Sequence, residues 1–331
     1  MSKKYNIVEV YRVIFTGIIC VHHSQIWNSY LNHGYLAVEF FFIVSGFMLA
    51  QSFEKHKKAP IDYLKDRYKK YYPEYIFAAI LYTVLLIIIA FINSDQQTIL
   101  KICKKLIPEL FLVQDISLWG GGNNYPCWYL SVLIWGGCIL YCSLYYIKKV
   151  SFIILPIYAI TFYLLTIISG GNLENWGYIT VISIPLLRGL ADMVVGILIF
   201  YSLEKFKWNK IQKYSGCFRI VGGIGFILCI FSVNYYDVVS VFFSSLLLFG
   251  AVLSEKKYKI SSLSKYCFAI YLNHALIIKL VLGVQKSEMD YKDRILFTFF
   301  ILSIVIIYSI VTHTIINKLT NRKKLIQVSN T

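Results

Sequence analysis

Apolar runs of 18 or more residues recur along the whole chain, and they restrict its fold more than any other feature. A helix of this length crosses the ~30 Å hydrocarbon core of a bilayer. The chain is 58% hydrophobic and 15% charged, which predicts an all-α, polytopic membrane helical bundle forming one domain over residues 1–331. We predict about ten spans, at residues 6–24, 35–53, 72–92, 126–148, 151–169, 181–203, 217–233, 237–254, 266–283 and 294–316.

The net charge of +16 is distributed unevenly along the chain. With a cytoplasmic N-terminus, 24 of the 33 Lys and Arg residues fall on the cytoplasmic side, 6 on the outer side and 3 within spans. Positive residues concentrate in cytoplasmic loops, so this distribution predicts that both termini are cytoplasmic. The basic charge then reflects topology and contact with anionic membrane lipids, and it indicates no nucleic-acid partner.

The first span contains ionisable residues, which are costly in a membrane and are by default functional. At about 100° per residue, the steps from Arg12 to His23 come to roughly 20° beyond whole turns, with a rise of about 16 Å. Arg12 and His23 therefore share one helix face. Glu9 lies close to that face, and His22 points away from it.

Glu39 lies in the outer third of the second span, which a connection of about ten residues joins to the first. The two spans are then antiparallel neighbours, and Glu39 and His23 lie at similar depth. A carboxylate beside an imidazole fixes its tautomer and raises its basicity, as a general base requires. The alternative is a structural hydrogen-bonded pair that holds the two helices together.

The most basic connection precedes the third span, which we predict to begin at Pro73. Arg67 and Lys70 lie one helical turn apart there, so both side chains can face one anion. Two basic side chains at the cytoplasmic entrance of the bundle suit the binding of a donor substrate that carries several phosphate groups. The alternative is ordinary positive-inside charge in contact with anionic lipids.

Other buried polar and small residues give weaker indications. The Ser-Gly step that ends at Gly46 favours close helix packing over a serine nucleophile. Arg188 and Asp192 are four residues apart and can pair within the membrane, for structure or for function. Asn273 and His274 lie in the middle of the ninth span.

The segment 99–113 is too short and too charged to span, and it predicts an amphipathic helix lying in the membrane interface. Cys103 and Cys127 both fall on the outer side, where a disulfide between them is conceivable. No Cys or His spacing indicates a metal site.

Together these motifs resemble those of the acyltransferase family 3 membrane proteins, over nearly the whole chain. The resemblance rests on three motifs with two supporting matches: Arg12-x10-His23, VEFFFIVSGF at 38–47, Arg67-x2-Lys70-x2-Pro73, Pro126-x-Trp128-Tyr129-Leu130 and Tyr271-Leu272-Asn273-His274. It implies ten core helices in the bacterial cytoplasmic (inner) membrane. It also implies transfer of an acyl group, usually acetyl from cytoplasmic acetyl-CoA, to a sugar hydroxyl of a surface polysaccharide or lipid-linked glycan.

The resemblance also implies roles for particular residues. His23 is the catalytic histidine, Arg12 is its partner in the motif, and Arg67 with Lys70 contacts the donor phosphates. Two positions depart from the family pattern. Lys70 replaces an arginine and loses its bidentate fork, and Leu133 stands where many members have a glutamate, which puts a catalytic role for that helix in doubt.

These expectations combine into a mechanism. The nucleotide end of CoA binds at Arg67 and Lys70, and the pantetheine arm brings the acetyl group toward His23. His23 acts as general base or as transient acyl carrier, and direct transfer is favoured because no second nucleophile is evident.

Two rival readings belong to other classes of protein. One is a membrane scaffold for polysaccharide export, in which substitutions of Arg12 and His23 would be silent. The other is a transporter or flippase of a lipid-linked glycan that uses buried Arg, Glu and His as relays. The basic Arg67 motif and the absence of an evident inverted repeat favour the transferase. The oligomeric state stays open.

Overall fold

The computed structural model describes residues 6–27, 30–118, 120–206, 208–234, 236–254, 262–282 and 290–329. Within these ranges most of the chain is helical. The α-helices are α1 Asn6–Ser24, α2 Ala37–Lys55, α3 Pro60–Ile92, α4 Gln96–Leu110, α5 Trp128–Ile168, α6 Ile184–Lys205, α7 Asn209–Gln212, α8 Ser215–Ile230, α9 Asp237–Leu253, α10 Cys267–Leu282 and α11 Tyr291–Ser329. A two-stranded antiparallel hairpin, β1 Tyr178–Ile179 and β2 Ile182–Ser183, precedes α6.

The apolar helices confirm an all-α membrane fold. Among the described residues, seven helical segments are long and apolar enough to cross a membrane, and α8 and α9 are shorter apolar helices. The predicted spans 126–148 and 151–169 both fall in α5, which bends at Ile147, where φ is −131° and ψ is 38°. The count of ten and the cytoplasmic termini stay predictions. Residue 283, the end of the ninth predicted span, lies outside the described residues.

Glycines bring α2 and α6 into backbone contact. A Cβ atom at Gly46 would overlap the carbonyl oxygen of Met193, and one at Gly196 would overlap that of Ile43. Each glycine therefore allows the facing helix to approach closely, as small residues do between membrane helices. The predicted packing role of the Ser-Gly step is confirmed for Gly46.

Helix α4 runs back along α3, antiparallel to it. The hydroxyls of Tyr75, Tyr72 and Tyr68 donate to the carbonyl oxygens of residues 109, 110 and 111 in turn, at 2.6, 2.9 and 2.9 Å. These tyrosines satisfy carbonyls that a helix C-terminus leaves without intrahelical partners. Bonds to successive turns of α3 hold the C-terminal end of α4 against that helix. The amphipathic helix predicted for 99–113 is present as α4, and its place in the membrane interface stays a prediction.

The long helices alternate in direction, which sorts their connections to two ends of the bundle. The His23 end is formed by the described parts of 25–36, 115–127, 169–183 and 231–236, and the Arg67 end by 56–59 and the start of α3. The Arg67 end differs from expectation because α3 begins at Pro60, with Pro73 inside it. Pro60 suits the first helical turn, where its missing N–H has no partner to lose.

Candidate active site

A polar cavity of about 850 Å³ lies at the His23 end of the bundle. Helix α1 contributes His22 and His23, and the remaining wall comes mainly from connections between helices. The volume falls in the upper part of the range for ligand pockets, roughly 300–1,000 Å³. Besides the two histidines, the polar and aromatic residues that line it are Gln25, Asn32, His33, Tyr35, Lys105, Asp115, Tyr125, Trp128, Asn172, Glu174 and Trp176.

A hydrogen-bonded chain assigns the tautomer of His23. His274 Nδ1 lies 2.5 Å from the carbonyl oxygen of Tyr271, which can only accept, so Nδ1 of His274 carries the proton. In the neutral ring, Nε2 of His274 is then an acceptor, and it lies 2.7 Å from Nδ1 of His23. Nδ1 of His23 therefore donates, which leaves Nε2 as its basic nitrogen.

His274 thus takes the place that we predicted for Glu39. Instead, Glu39 forms a buried ion pair with Arg188 of α6, and the exposed fractions of the two side chains are 0% and 4%. The prediction that Glu39 lies beside His23 is wrong because depth alone does not set the rotation of a helix. Helix α2 packs more extensively on α6 than on α1, and Glu39 faces α6.

Arg188 does not form the ion pair with Asp192 that their spacing of four residues allows. Besides its ion pair with Glu39, it donates to the carbonyl oxygen of Leu173 at 3.2 Å. Asp192 accepts from the hydroxyl of Tyr163 at 2.7 Å. The ion pair therefore connects α2 and α6 to the segment at Leu173, which continues into the cavity wall.

Arg12 lies on the unbroken helix α1, on the face predicted from its spacing, but it does not contact His23. Its guanidinium forms an ion pair with Glu9 at 3.0 Å. The rise of about 16 Å between Arg12 and His23 prevents direct contact. Arg12 therefore lies on the polar face of α1, between the cavity and the N-terminus of this helix.

Arg67 and Lys70 meet at a second cavity, of about 220 Å³, at the Arg67 end. The Arg67 guanidinium lies 4.8 Å from the ring centre of Tyr63, which stacks on Tyr141 at 4.2 Å. The Lys70 ammonium lies 4.8 Å from the ring centre of Tyr71. The structure thus brings the two predicted donor contacts to one cavity and places them at the end of the bundle opposite His23.

A buried carboxylate shapes the wall of the large cavity. Glu109 of α4 accepts from the backbone N–H groups of Asn123 and Asn124, at 3.0 and 2.9 Å. Burial raises the pKa of Glu109 to about 7, against the lowering effect of these bonds. Glu109 thereby ties α4 to the loop that precedes α5.

Several residues of the cavity were not predicted from the sequence. His22 was predicted to point away, yet it lines the same cavity as His23 because loops enclose the C-terminal end of α1. The sequence does point to His274, because the polar pair Asn273-His274 lies within an apolar span. No sequence pattern marks the three cavity residues that lie in connections between helices, Asp115, Glu174 and Trp176. Cys103 and Cys127 are free thiols, so the conceivable disulfide is absent.

Among the described residues, no group of three or more His, Cys, Asp or Glu side chains could hold a metal ion. The fold and the cavities define a multi-pass membrane protein with a tautomer-fixed histidine at one end and a basic cavity at the other. Residues 6–314 match the family model of acyltransferase family 3, described as an acyltransferase domain. The chain belongs to this family and is a membrane acyltransferase. No curated protein and no solved structure matches the chain in the corresponding comparisons.

Proposed function

We propose that the protein is a transmembrane O-acyltransferase that moves acetyl from cytoplasmic acetyl-CoA to a sugar hydroxyl of an extracytoplasmic polysaccharide or lipid-linked glycan. The observation that carries this proposal is the His23–His274 pair, which provides a basic nitrogen on a ring that lines a ligand-sized cavity. Family membership supplies acyl transfer as the reaction class. The cavity's hydroxyl, amide and carboxyl side chains suit a polyhydroxylated acceptor.

The proposed topology has ten membrane passes, both termini in the cytoplasm, in the cytoplasmic membrane of a bacterium. The bend of α5 at Ile147 and the two apolar helices α8 and α9 supply three passes beyond the seven long segments. The excess of basic residues on one side supports the orientation. His23 then opens to the outside and Arg67 to the cytoplasm.

The donor site proposed for acetyl-CoA is the smaller cavity. Arg67 and Lys70 would hold the phosphates of the nucleotide, where a fixed guanidinium binds phosphate well. Stacking of Arg67 on Tyr63, and of Tyr63 on Tyr141, orders the guanidinium before a ligand arrives. The pantetheine arm would then extend into the bundle toward His23.

At His23 the proposed step is direct transfer. Nε2 of His23 takes the proton of the acceptor hydroxyl as that oxygen forms a bond to the thioester carbonyl carbon. The C–S bond breaks, and the CoA thiolate takes the proton back from the imidazolium. His274 holds His23 in the tautomer that leaves Nε2 free for this step. In the alternative route His23 carries the acetyl group transiently.

Donor binding tests the proposal against the transporter alternative. Acetyl-CoA should raise the thermal unfolding temperature of the purified protein, and Arg67→Glu should abolish this shift. Removal of the charged contact in Arg67→Ala should weaken acetyl-CoA binding roughly tenfold to a hundredfold. Lys148→Ala is the matched control, because Lys148 lies at the same end and pairs with Glu54 outside the cavity. Unchanged acetyl-CoA binding in the Arg67 variants would contradict the donor assignment.

We predict that His274 orients the ring of His23 for catalysis. His274→Ala should lower kcat by roughly tenfold to a hundredfold, the range known for partners that orient metal-bound histidines. The KM for acetyl-CoA should not change, because His274 does not line the cavity of Arg67 and Lys70. His274→Gln should retain more activity, because its amide oxygen still accepts from Nδ1 of His23. Steady-state kinetics with labelled acetyl-CoA separates these outcomes, and a wild-type kcat in His274→Ala would refute the role.

A further inference from the structure

The wall formed by residues 172–176 is held in place before any ligand binds. The backbone N–H of Leu173 donates to Oδ2 of Asp237 at 2.7 Å, and its carbonyl oxygen accepts from Arg188 at 3.2 Å. Asp237 begins α9 and Arg188 lies on α6, and both side chains are buried. Two buried anchors from two helices therefore fix a segment that presents Asn172, Glu174 and Trp176 to the cavity.

Trp176 provides an apolar surface inside this polar cavity. Its indole is 50% exposed and packs edge-to-face on Trp128, with ring centres 5.3 Å apart and planes at 84°. Trp128 is buried at the start of α5 and supports the exposed ring. A rigid, half-exposed indole suits the C–H face of a sugar ring, which is apolar while the ring edge carries hydroxyls.

Asp115 provides the matching polar contact. The residue is 7% exposed, and its Oδ2 has no hydrogen-bond partner among the described residues, although Asp115 lines the cavity. Burial, with the nearby Glu109, raises the pKa of Asp115 to about 7. A desolvated carboxyl group without a partner is costly, and a ligand that donates a hydrogen bond removes this cost.

The charges of the cavity limit the kind of ligand. Its lining includes two carboxyl groups, Asp115 and Glu174, against one lysine, Lys105. Burial also raises the pKa of Glu174, with Asp237 adding to the effect. Above a pH of about 7 Asp115 is mostly ionised, so a carboxylate on the ligand would be placed against like charge, which is strongly unfavourable at an interface.

Building on the acyl transfer proposed above, we infer that the sugar unit that enters this cavity is neutral or carries an amino group. Trp176 packs against its ring, and Asp115 accepts a hydrogen bond from its hydroxyl or ammonium group. Asp115 and Glu174 exclude acidic sugars. These three residues therefore determine acceptor specificity and take no part in proton transfer.

The test measures sugar binding separately from catalysis. The full-length protein in nanodiscs is examined at a pH above the pKa of Asp115, which is about 7, by saturation-transfer NMR with the methyl glycosides of glucose, galactose, mannose, glucosamine and glucuronic acid. At least one neutral or amino glycoside should bind, and the glucuronide should bind at least about tenfold more weakly than that glycoside. Trp176→Ala should weaken the binding about tenfold or more, from lost apolar burial. Trp208→Ala is the control, because Trp208 packs on Phe249 and does not line the cavity.

Removing the two carboxyl groups of the cavity is the second part of the test. Asp115→Asn with Glu174→Gln should allow the glucuronide to bind as well as the neutral glycosides. Equal or preferred binding of the glucuronide by the unmodified protein, unchanged binding in Trp176→Ala, or no binding of any glycoside would overturn the inference. Acetyl-CoA-dependent thermal stabilisation in the same samples reports on the donor site, so failure of the proposed function is recognised separately.

Discussion

His23→Ala is expected to lower kcat for acetyl transfer by about 10²–10⁴-fold, the usual contribution of a general base. The physical reason is that Nε2 of His23 is the basic nitrogen that the contact with His274 leaves free at the cavity. Binding of acetyl-CoA should not change, because its proposed phosphate contacts, Arg67 and Lys70, lie at the opposite end of the bundle. The measurement is transfer of labelled acetyl from acetyl-CoA to the native glycan by purified protein.

His22→Ala is the matched control for this experiment. His22 lines the same cavity, but its Nδ1 lies 3.4 Å from the backbone carbonyl oxygen of Leu31, outside the pair formed by His23 and His274. We expect the His22 variant to retain transfer within a few-fold of wild type, well above the roughly 10²-fold loss at His23. Wild-type rates in His23→Ala would rule out the assignment. A trapped acetyl-protein that His23→Ala cannot form would favour the two-step route over direct transfer.

Glu39→Leu is expected to destabilise the protein by about 3–5 kcal/mol, because it leaves the buried guanidinium of Arg188 without its partner. Arg188→Leu should have a similar effect, since it leaves Glu39 as an uncompensated buried charge. The double variant should recover most of the lost stability, because replacing both charges by apolar groups is often neutral. Chemical unfolding of the purified proteins in detergent, followed by tryptophan fluorescence, gives the double-mutant cycle.

An exposed ion pair between α2 and α5 provides the reference for this cycle. Lys148 and Glu54 lie 2.6 Å apart with exposed fractions of 41% and 37%, so removing either should cost only about 0–1 kcal/mol. The cycle also separates two roles for Glu39. A Glu39→Leu variant that unfolds like wild type but loses acetyl transfer would support a catalytic role for Glu39. Parallel loss of stability and activity, both restored in the double variant, would support the structural role.

Properties set within one helix could be predicted from the sequence. The spacing of Arg12 and His23 predicts a shared face, and the unbroken α1 has that geometry. The packing role of Gly46 and the proximity of Arg67 to Lys70 followed from equally local rules. Each of these predictions depends on the helical repeat or on residue size, and neither changes with the surrounding fold.

Relations between helices could not be predicted in the same way. Glu39 and His23 were expected to pair because short connections place neighbouring helices at similar depth. The rotation of α2 depends on its packing against α6, and this rotation turns Glu39 toward Arg188. His274 lies 251 residues from His23 along the chain, so no spacing rule connects them.

The sequence by itself determined that this chain is a membrane bundle of apolar helices, and its motifs indicated the acyltransferase family. It also determined which ionisable residues share a helix face, because apolar length and the helical repeat are local properties. Only the tertiary structure decided that His274 contacts His23, that Glu39 pairs with Arg188, and that Asp115 and Trp176 line the cavity. These arrangements arise from helix rotation and from loops held by distant side chains, and both are set by packing over the whole bundle.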